Sequence, residues 1–252
     1  MIPQNDRGLL LGDGLFETLL AVDGNVPHLA AHLDRMAAGC AVLDLPFDRA
    51  EAERRVRAAA PGEGRFAVRL TLTAGSGGRG LDRPTVPLPR LFATSAPSAP
   101  VTTPASAIVA ATRRNEGSPA ARLKTLSYLD NVLARAEAVA AGADEAVMLN
   151  NRGEIACAGA ANLFWVESGK LFTPRLDCGV LAGITRARVM ALEAVEEVAV
   201  GVEALDRAEA VFLTNSLIGV RPLSRLVSDR GDRTFMPNVL VERLARAWQP
   251  KV

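Results

Sequence analysis

Lysine is scarce in this chain, with only Lys124, Lys170 and Lys251 among 29 basic residues. Lys124 stands in ARLKTLSYLDN, an apolar and polar mixture just ahead of a helical pattern. A lysine held partly out of water has a lowered pKa, and its neutral amine can attack an aldehyde to form a Schiff base. A lysine at a helix start is more often a solvated surface charge, so this position alone does not decide. A second group is Gly183-Ile184-Thr185, a turn opening a helix. Backbone N–H groups and a hydroxyl at such a start suit a phosphate, with the helix dipole behind them. An ordinary capped helix start reads the same way. The third is Arg35, one turn after His32 on the same helical face. Its guanidinium could grip a phosphate with two parallel hydrogen bonds, or simply be a solvated charge.

Other chemistries are poorly served. His28 and His32 make an i, i+4 pair like half a zinc site, but no third ligand is near and Cys40 lies two to three turns on, so no metal is expected. Leu11-Gly12-Asp13-Gly14 lacks the third glycine of a dinucleotide fingerprint, and Gly75–Gly80 lacks the Gly-Lys-Ser/Thr ending of a P-loop. A formal charge of +1 gives no general attraction to nucleic acid or to an anionic membrane. Three cysteines, Cys40, Cys157 and Cys178, are a poor disulfide framework and suit a reducing compartment. The polar MIPQNDRG has no signal-peptide h-region, and no apolar run is long enough to span a bilayer. These features lead to the expectation of a cytoplasmic globular protein acting on a small molecule, with no nucleic acid or membrane partner.

The elements that must position these groups follow from periodicity. Residues 15–22 read as a strand ending at the turn signal Asp23-Gly24. His28 to Leu43 has helical spacing, with Leu29, Leu33, Met36, Ala37 and Cys40 on one face. A second helix is expected from about Asp48 to Ala60, stopped by Pro61-Gly62. RFAVRLTLT at 65–73 alternates as a strand with Phe66, Val68, Leu70 and Leu72 on one side. The Pro-, Ser- and Thr-rich stretch at 95–106 has the composition of a linker. Beyond it the pattern predicts a strand near 107–111 and a helix over 127–141 ended by Gly142. Short strands at 145–149, 154–158, 162–167 and 170–173 follow, then a helix from Gly183 to about Glu197, a strand at 211–214 and a helix over 238–248. The expected organisation is α+β in two parts: residues 1–94, the linker 95–106, and a larger part at 107–252 that carries Lys124.

Several segments together carry a resemblance. NDRGLLLGDGLFET, AHLDRM, GSGGRG, LKTLSYLDNVLARAEA, ADEAVMLNNRGEIACAGAANLFW, LFTPRLDCGVLAGITR and VFLTNSLIGVRPL resemble, in order, the class IV aminotransferases, or fold-type IV enzymes of pyridoxal 5′-phosphate (PLP). That family includes branched-chain and D-amino acid aminotransferases and 4-amino-4-deoxychorismate lyases. The resemblance implies a two-domain α+β fold like that of D-amino acid aminotransferase, a PLP cofactor in the cleft between domains, and a homodimer. It further implies that Lys124 forms the Schiff base and moves the α-proton, and that Arg35, Ile184, Thr185, Asn215 and Ser216 bind the cofactor phosphate. Glu17 and Tyr128 fall at substrate-side or cofactor-side positions. GSGGRG, ANLFW and the Lys-x-Leu-x-x-Leu spacing are most similar to the lyases, which release pyruvate from aminodeoxychorismate to leave 4-aminobenzoate, a folate precursor. The alternatives are a transaminase of branched-chain or D-amino acids, and a catalytically weakened relative acting in binding or regulation.

One departure bears on chemistry. Five residues before Asn162, where the family usually has the glutamate that pairs with the PLP ring nitrogen, this chain has Cys157. A neutral thiol is a weak hydrogen-bond partner and brings no opposite charge. The ring should then be a poorer electron sink, and Cys157→Glu should raise turnover.

Overall fold

The computed structural model describes residues 2–248, and these form two compact units. The first comprises residues 2–99 together with Leu123–Tyr128; the second comprises Pro100–Arg122 and residues 129–248.

The first unit opens with a short helix, α1 (Arg7–Leu11), capped by the Asp6 carboxylate, which accepts from Gly8 N at 2.8 Å. Strand β1 (Gly14–Val22) follows and ends in a tight turn in which Val22 and Asn25 exchange backbone hydrogen bonds. Asp23 and Gly24 both take positive φ there, the reason an Asp-Gly pair suits the turn. The chain then enters α2 (Leu29–Val42) and α3 (Arg49–Ala59), the latter capped by Asp48. It returns as β2 (Arg65–Thr73) and β3 (Arg90–Pro97), giving an antiparallel sheet in the order β1-β2-β3.

Alternation gives this sheet two different faces. Leu15, Leu19, Val68, Leu70 and Leu72 pack with Leu33, Met36 and Val56 of the two helices in one core. Each such buried side chain contributes about 1.5–3 kcal/mol relative to exposure. The opposite face carries Phe16 and Arg69. Strand β3 continues to Pro97 through residues whose composition reads as linker; it is an edge strand, where a proline's missing N–H costs no ladder bond.

In the second unit, β4 (Ala105–Val109), α4 (Pro119–Arg122), α5 (Leu129–Ala140), β5 (Glu145–Leu149), β6 (Ile155–Ala158), β7 (Asn162–Glu167) and β8 (Lys170–Pro174) come first. They are followed by α6 (Ile184–Leu192), β9 (Val195–Val198), β10 (Ala210–Asn215), β11 (Gly219–Ser228), β12 (Gly231–Thr234) and α7 (Val239–Trp248). The strands run β6-β5-β4-β11-β10-β7-β8-β9, with β12 on β11. Both faces of β7 are buried: Leu163 and Trp165 enter one core, while Phe164 and Val166 enter another with Val189 of α6 and Val241 of α7. Phe164 of β7 stacks on Phe212 of β10 with centroids 5.0 Å apart.

The helix expected from Gly183 to about Glu197 is shorter. It stops at Leu192, Glu193 is extended (φ −136°, ψ 152°), and Val195–Val198 forms β9 parallel to β8. The β-branched Val195 and Val198, backed by a ready strand edge on β8, outweigh the helical reading. No helix among the described residues is long and apolar enough to cross a membrane.

Candidate active site

Lys124 belongs to the first unit because its segment pairs with β1. Phe16 N donates to Lys124 O at 2.9 Å, Leu126 N donates to Gly14 O at 3.0 Å, and Leu15 bridges Thr125. The half-buried amine lies over two aromatic rings, with Nζ 4.3 Å from the Phe16 centroid and 5.3 Å from that of Tyr128. Phe16 and Tyr128 meet edge to face at 5.1 Å. These rings cover one side of the amine with apolar surface.

Arg69 joins this group, its Cζ 3.8 Å from the Phe16 centroid. No carboxylate among the described residues pairs with it. Burial pulls its pKa below the ordinary value, against the smaller opposing effect of Tyr128. A guanidinium with no acid among the described residues, stacked on the ring that also carries the Lys124 amine, is suited to a carboxylate ligand. Sequence reading assigned Arg69 only to the polar side of a strand. The signal that could have found it is its alternation with Val68 and Leu70, which puts it on the face that Phe16 shares.

Glu17 and Arg35 lie on the other side of that sheet. Arg35 Nε donates to Glu17 Oε1 at 2.8 Å and Nη2 to Oε2 at 2.6 Å, while His32 Nδ1 lies 2.7 Å from Oε2. Burial alone would raise the Glu17 carboxyl, but hydrogen bonds from Arg35 and His32, with their charges, outweigh it and hold the pKa below the ordinary carboxylate value. An ionised carboxylate only accepts, so His32 Nδ1 carries the proton. His32 is thus spent on Glu17, and among the described residues no cluster of three or more His, Cys, Asp or Glu is arranged to hold a metal.

The second unit holds the other sequence-predicted residues. Gly183 precedes α6 without any side-chain cap, so the first-turn N–H groups, those of Ile184 and Thr185 among them, have no intrahelical acceptor. Thr185 is buried and its Oγ1 has no partner among the described residues; the same is true of Thr214 at the end of β10. Past Thr214 the chain turns, with Asn215 Oδ1 accepting from Leu217 N and Ile218 N, both at 2.9 Å, and Ser216 on the turn. Gly219 ends it at φ +64°, where a Cβ would overlap the Trp248 indole. An orphaned hydroxyl such as that of Thr185, at an uncapped helix start, is what a bound phosphate would satisfy. Thr214 was not singled out from sequence; it reads there as one more residue of a buried strand.

A Cβ at Gly183 would overlap Asn162 Oδ1. Gly183→Ala is therefore expected to shift the start of α6 and to weaken cofactor phosphate binding about tenfold, or about 1.4 kcal/mol. Titration of the purified apoprotein with PLP measures this, and unchanged affinity would contradict it.

Cys157 lies in β6, 5% exposed, within a cluster of Ala110, Ala134, Ala138, Ala146, Met148 and Ala156. Burial raises its thiol pKa, the Arg114 charge opposes that and Glu145 adds to it, so the thiol stays neutral. Glu154 does not replace the missing carboxylate, because its Oε2 accepts from Asn150 Nδ2 at 2.7 Å and Arg152 Nε at 2.9 Å.

Comparison with known proteins agrees in kind. The amino-transferase class IV family model matches residues 14–226. The chain is 34% identical to a Methanocaldococcus jannaschii protein assigned as a branched-chain-amino-acid aminotransferase, over 86% of this chain and 80% of that one. It is 30% identical to an aminodeoxychorismate lyase of Vibrio harveyi, over 96% and 94%. The solved 4-amino-4-deoxychorismate lyase of Pseudomonas aeruginosa superposes with a TM-score of 0.89 at 30% identity, covering 100% of this chain and 96% of that one.

Proposed function

Because the chain belongs to the class IV aminotransferase family, we propose that it is a PLP enzyme whose reacting amine is Lys124 and whose substrate is aminodeoxychorismate, cleaved to 4-aminobenzoate and pyruvate. The observation carrying the site reading is the Lys124 amine set on Phe16 and Tyr128, with the Arg69 guanidinium, paired with no acid among the described residues, on the same Phe16 ring. The lyase assignment is supported by similarity to aminodeoxychorismate lyases over nearly the full length of both chains.

When bound, PLP supplies an aldehyde that captures amines and a conjugated ring that accepts electrons from the neighbouring carbon. In the second unit, the N–H groups of Ile184 and Thr185, the Thr185 and Thr214 hydroxyls and the Asn215-Ser216 turn would hold the phosphate. In the first unit, Lys124 Nζ would hold the aldehyde carbon and then move the proton beside the substrate nitrogen, and Arg35 is the residue to which the family resemblance assigns a phosphate contact. Phe16 and Tyr128 would hold that amine in place by contact with their ring faces. Arg69 would orient the substrate through its carboxylate. Cys157 would offer the ring nitrogen a thiol in place of a carboxylate. A homodimer belongs to the same reading, and sedimentation of the purified protein measures it.

A transaminase is the second reading, favoured by the 34% identity to the Methanocaldococcus jannaschii protein. Both reactions need the same work from Lys124, so product analysis separates them. Pyruvate released from aminodeoxychorismate without added keto acid supports the lyase. Amino transfer that requires a keto acid, with no pyruvate from aminodeoxychorismate, supports the transaminase.

Cys157→Glu is expected to raise turnover about tenfold, since an ionised partner would favour a protonated ring nitrogen. Unchanged or lower turnover, with folding and cofactor occupancy intact, would contradict this.

A further inference from the structure

We infer that Asn162 is a positioning residue that keeps the start of α6 open to an anion, by standing where a capping side chain at residue 183 would have to be. The inference rests on the phosphate role proposed for the Ile184-Thr185 start and lies wholly within the second unit. Asn162 is the first residue of β7 and is buried. It pairs in register with Thr214 of β10, so both side chains emerge on one face of the sheet. By alternation that face continues as Phe164 and Val166 on β7 and as Phe212 and Ala210 on β10, the apolar surface against which Val189 of α6 packs. Asn162 and Thr214 are its polar end.

Asn162 Nδ2 donates to Leu181 O at 2.9 Å, which ties the loop ahead of α6 to β7. Its Oδ1 fills the place that a Cβ on residue 183 would take. Gly183 has φ −74° and ψ 142°, a conformation open to any residue, so the backbone does not require glycine there. The position is the N-cap of α6, where Ser, Thr, Asp and Asn are preferred because their oxygen accepts from the first-turn N–H groups. The chain forgoes that stabilisation, and Asn162 is what enforces the loss. Two buried hydroxyls with no partner among the described residues lie with this start, Thr185 in its first turn and Thr214 across from Asn162. An amide anchored on Leu181 O thus reserves the donors of α6 for a ligand with anionic oxygens.

The test sets PLP titration of the apoproteins beside their thermal unfolding. The variants are Gly183→Ala, Asn162→Ala, and Asn162→Ala combined with either Gly183→Ala or Gly183→Ser. The loss of about tenfold in PLP affinity expected for Gly183→Ala should shrink to about threefold or less in the Asn162→Ala background, because the obstructing oxygen is gone. Adding Gly183→Ser to Asn162→Ala should weaken PLP binding at least about tenfold further while the apoprotein unfolds about 2–4 °C higher, since the serine caps the N–H groups that the phosphate needs. A residue that only supports the fold would move both readings in the same direction. Asn162→Ser, which keeps a donor for Leu181 O, takes the place of Asn162→Ala should that variant not fold. Equal losses from Gly183→Ala in both backgrounds, or no rise in unfolding temperature from Gly183→Ser, would overturn the inference and leave the phosphate role of α6 standing. A rise in unfolding temperature with no loss of PLP affinity would overturn that role and the inference with it.

Discussion

Lys124→Ala lowers turnover by at least about 10³-fold while the protein stays folded. The amine has two tasks in the proposed reaction, holding the aldehyde carbon and moving a proton, and a positioned acid-base group alone is worth about 10²–10⁴-fold. Its segment is anchored by backbone bonds, Phe16 N to Lys124 O and Leu126 N to Gly14 O, which the substitution leaves in place. Loss of activity can therefore be separated from loss of structure by thermal unfolding of the two proteins. Turnover within tenfold of the parent in steady-state assays would contradict the assignment.

The next largest effect is expected at Arg69. Removing one partner of a desolvated charge pair costs about 2–5 kcal/mol, which corresponds to a drop of roughly 30-fold to several thousandfold in kcat/KM. Arg69→Leu keeps the stack on Phe16 apolar and deletes the only part that could hold a carboxylate. Because no carboxylate among the described residues depends on Arg69, the substitution strands no acid and should leave stability close to that of the parent. The loss should appear for substrates with a carboxylate and shrink for an amine lacking one. Equal loss for both would show that Arg69 supports the fold of the site and does not recognise the acid.

The strands and helices that carry the site were legible where alternation or helical spacing was strong. RFAVRLTLT forms β2 over the residues its alternation marked, and the apolar face of α2 is the one its spacing predicted, with Leu29, Leu33, Met36 and Cys40 buried. Asp48 and Asn238 start α3 and α7 as their capping chemistry requires. Legibility failed where tertiary pairing decides. VEEV is helix or strand by local preference and becomes β9 because β8 offers it an edge. Strand β11 begins at Gly219 in a stretch interrupted by Pro222, which masks its alternation.

The site shows the same division. Lys124, Arg35 and the Gly183-Ile184-Thr185 start could be singled out because their residue types are unusual in their settings. Nothing in composition or periodicity signals that Leu123–Tyr128 pairs with β1, and so nothing in the sequence alone brings Phe16 and Arg69 to the amine. Thr214 is equally silent, for its hydroxyl matters only because burial leaves it without a partner.

The central claim is that one amine in this chain captures the cofactor aldehyde. Reducing the PLP-loaded protein with borohydride, digesting it and locating the added mass by mass spectrometry tests that directly. The account predicts a phosphopyridoxyl group on the peptide containing Lys124. A group found on Lys170 or Lys251, or a reduced adduct that forms as well in Lys124→Ala, would contradict it.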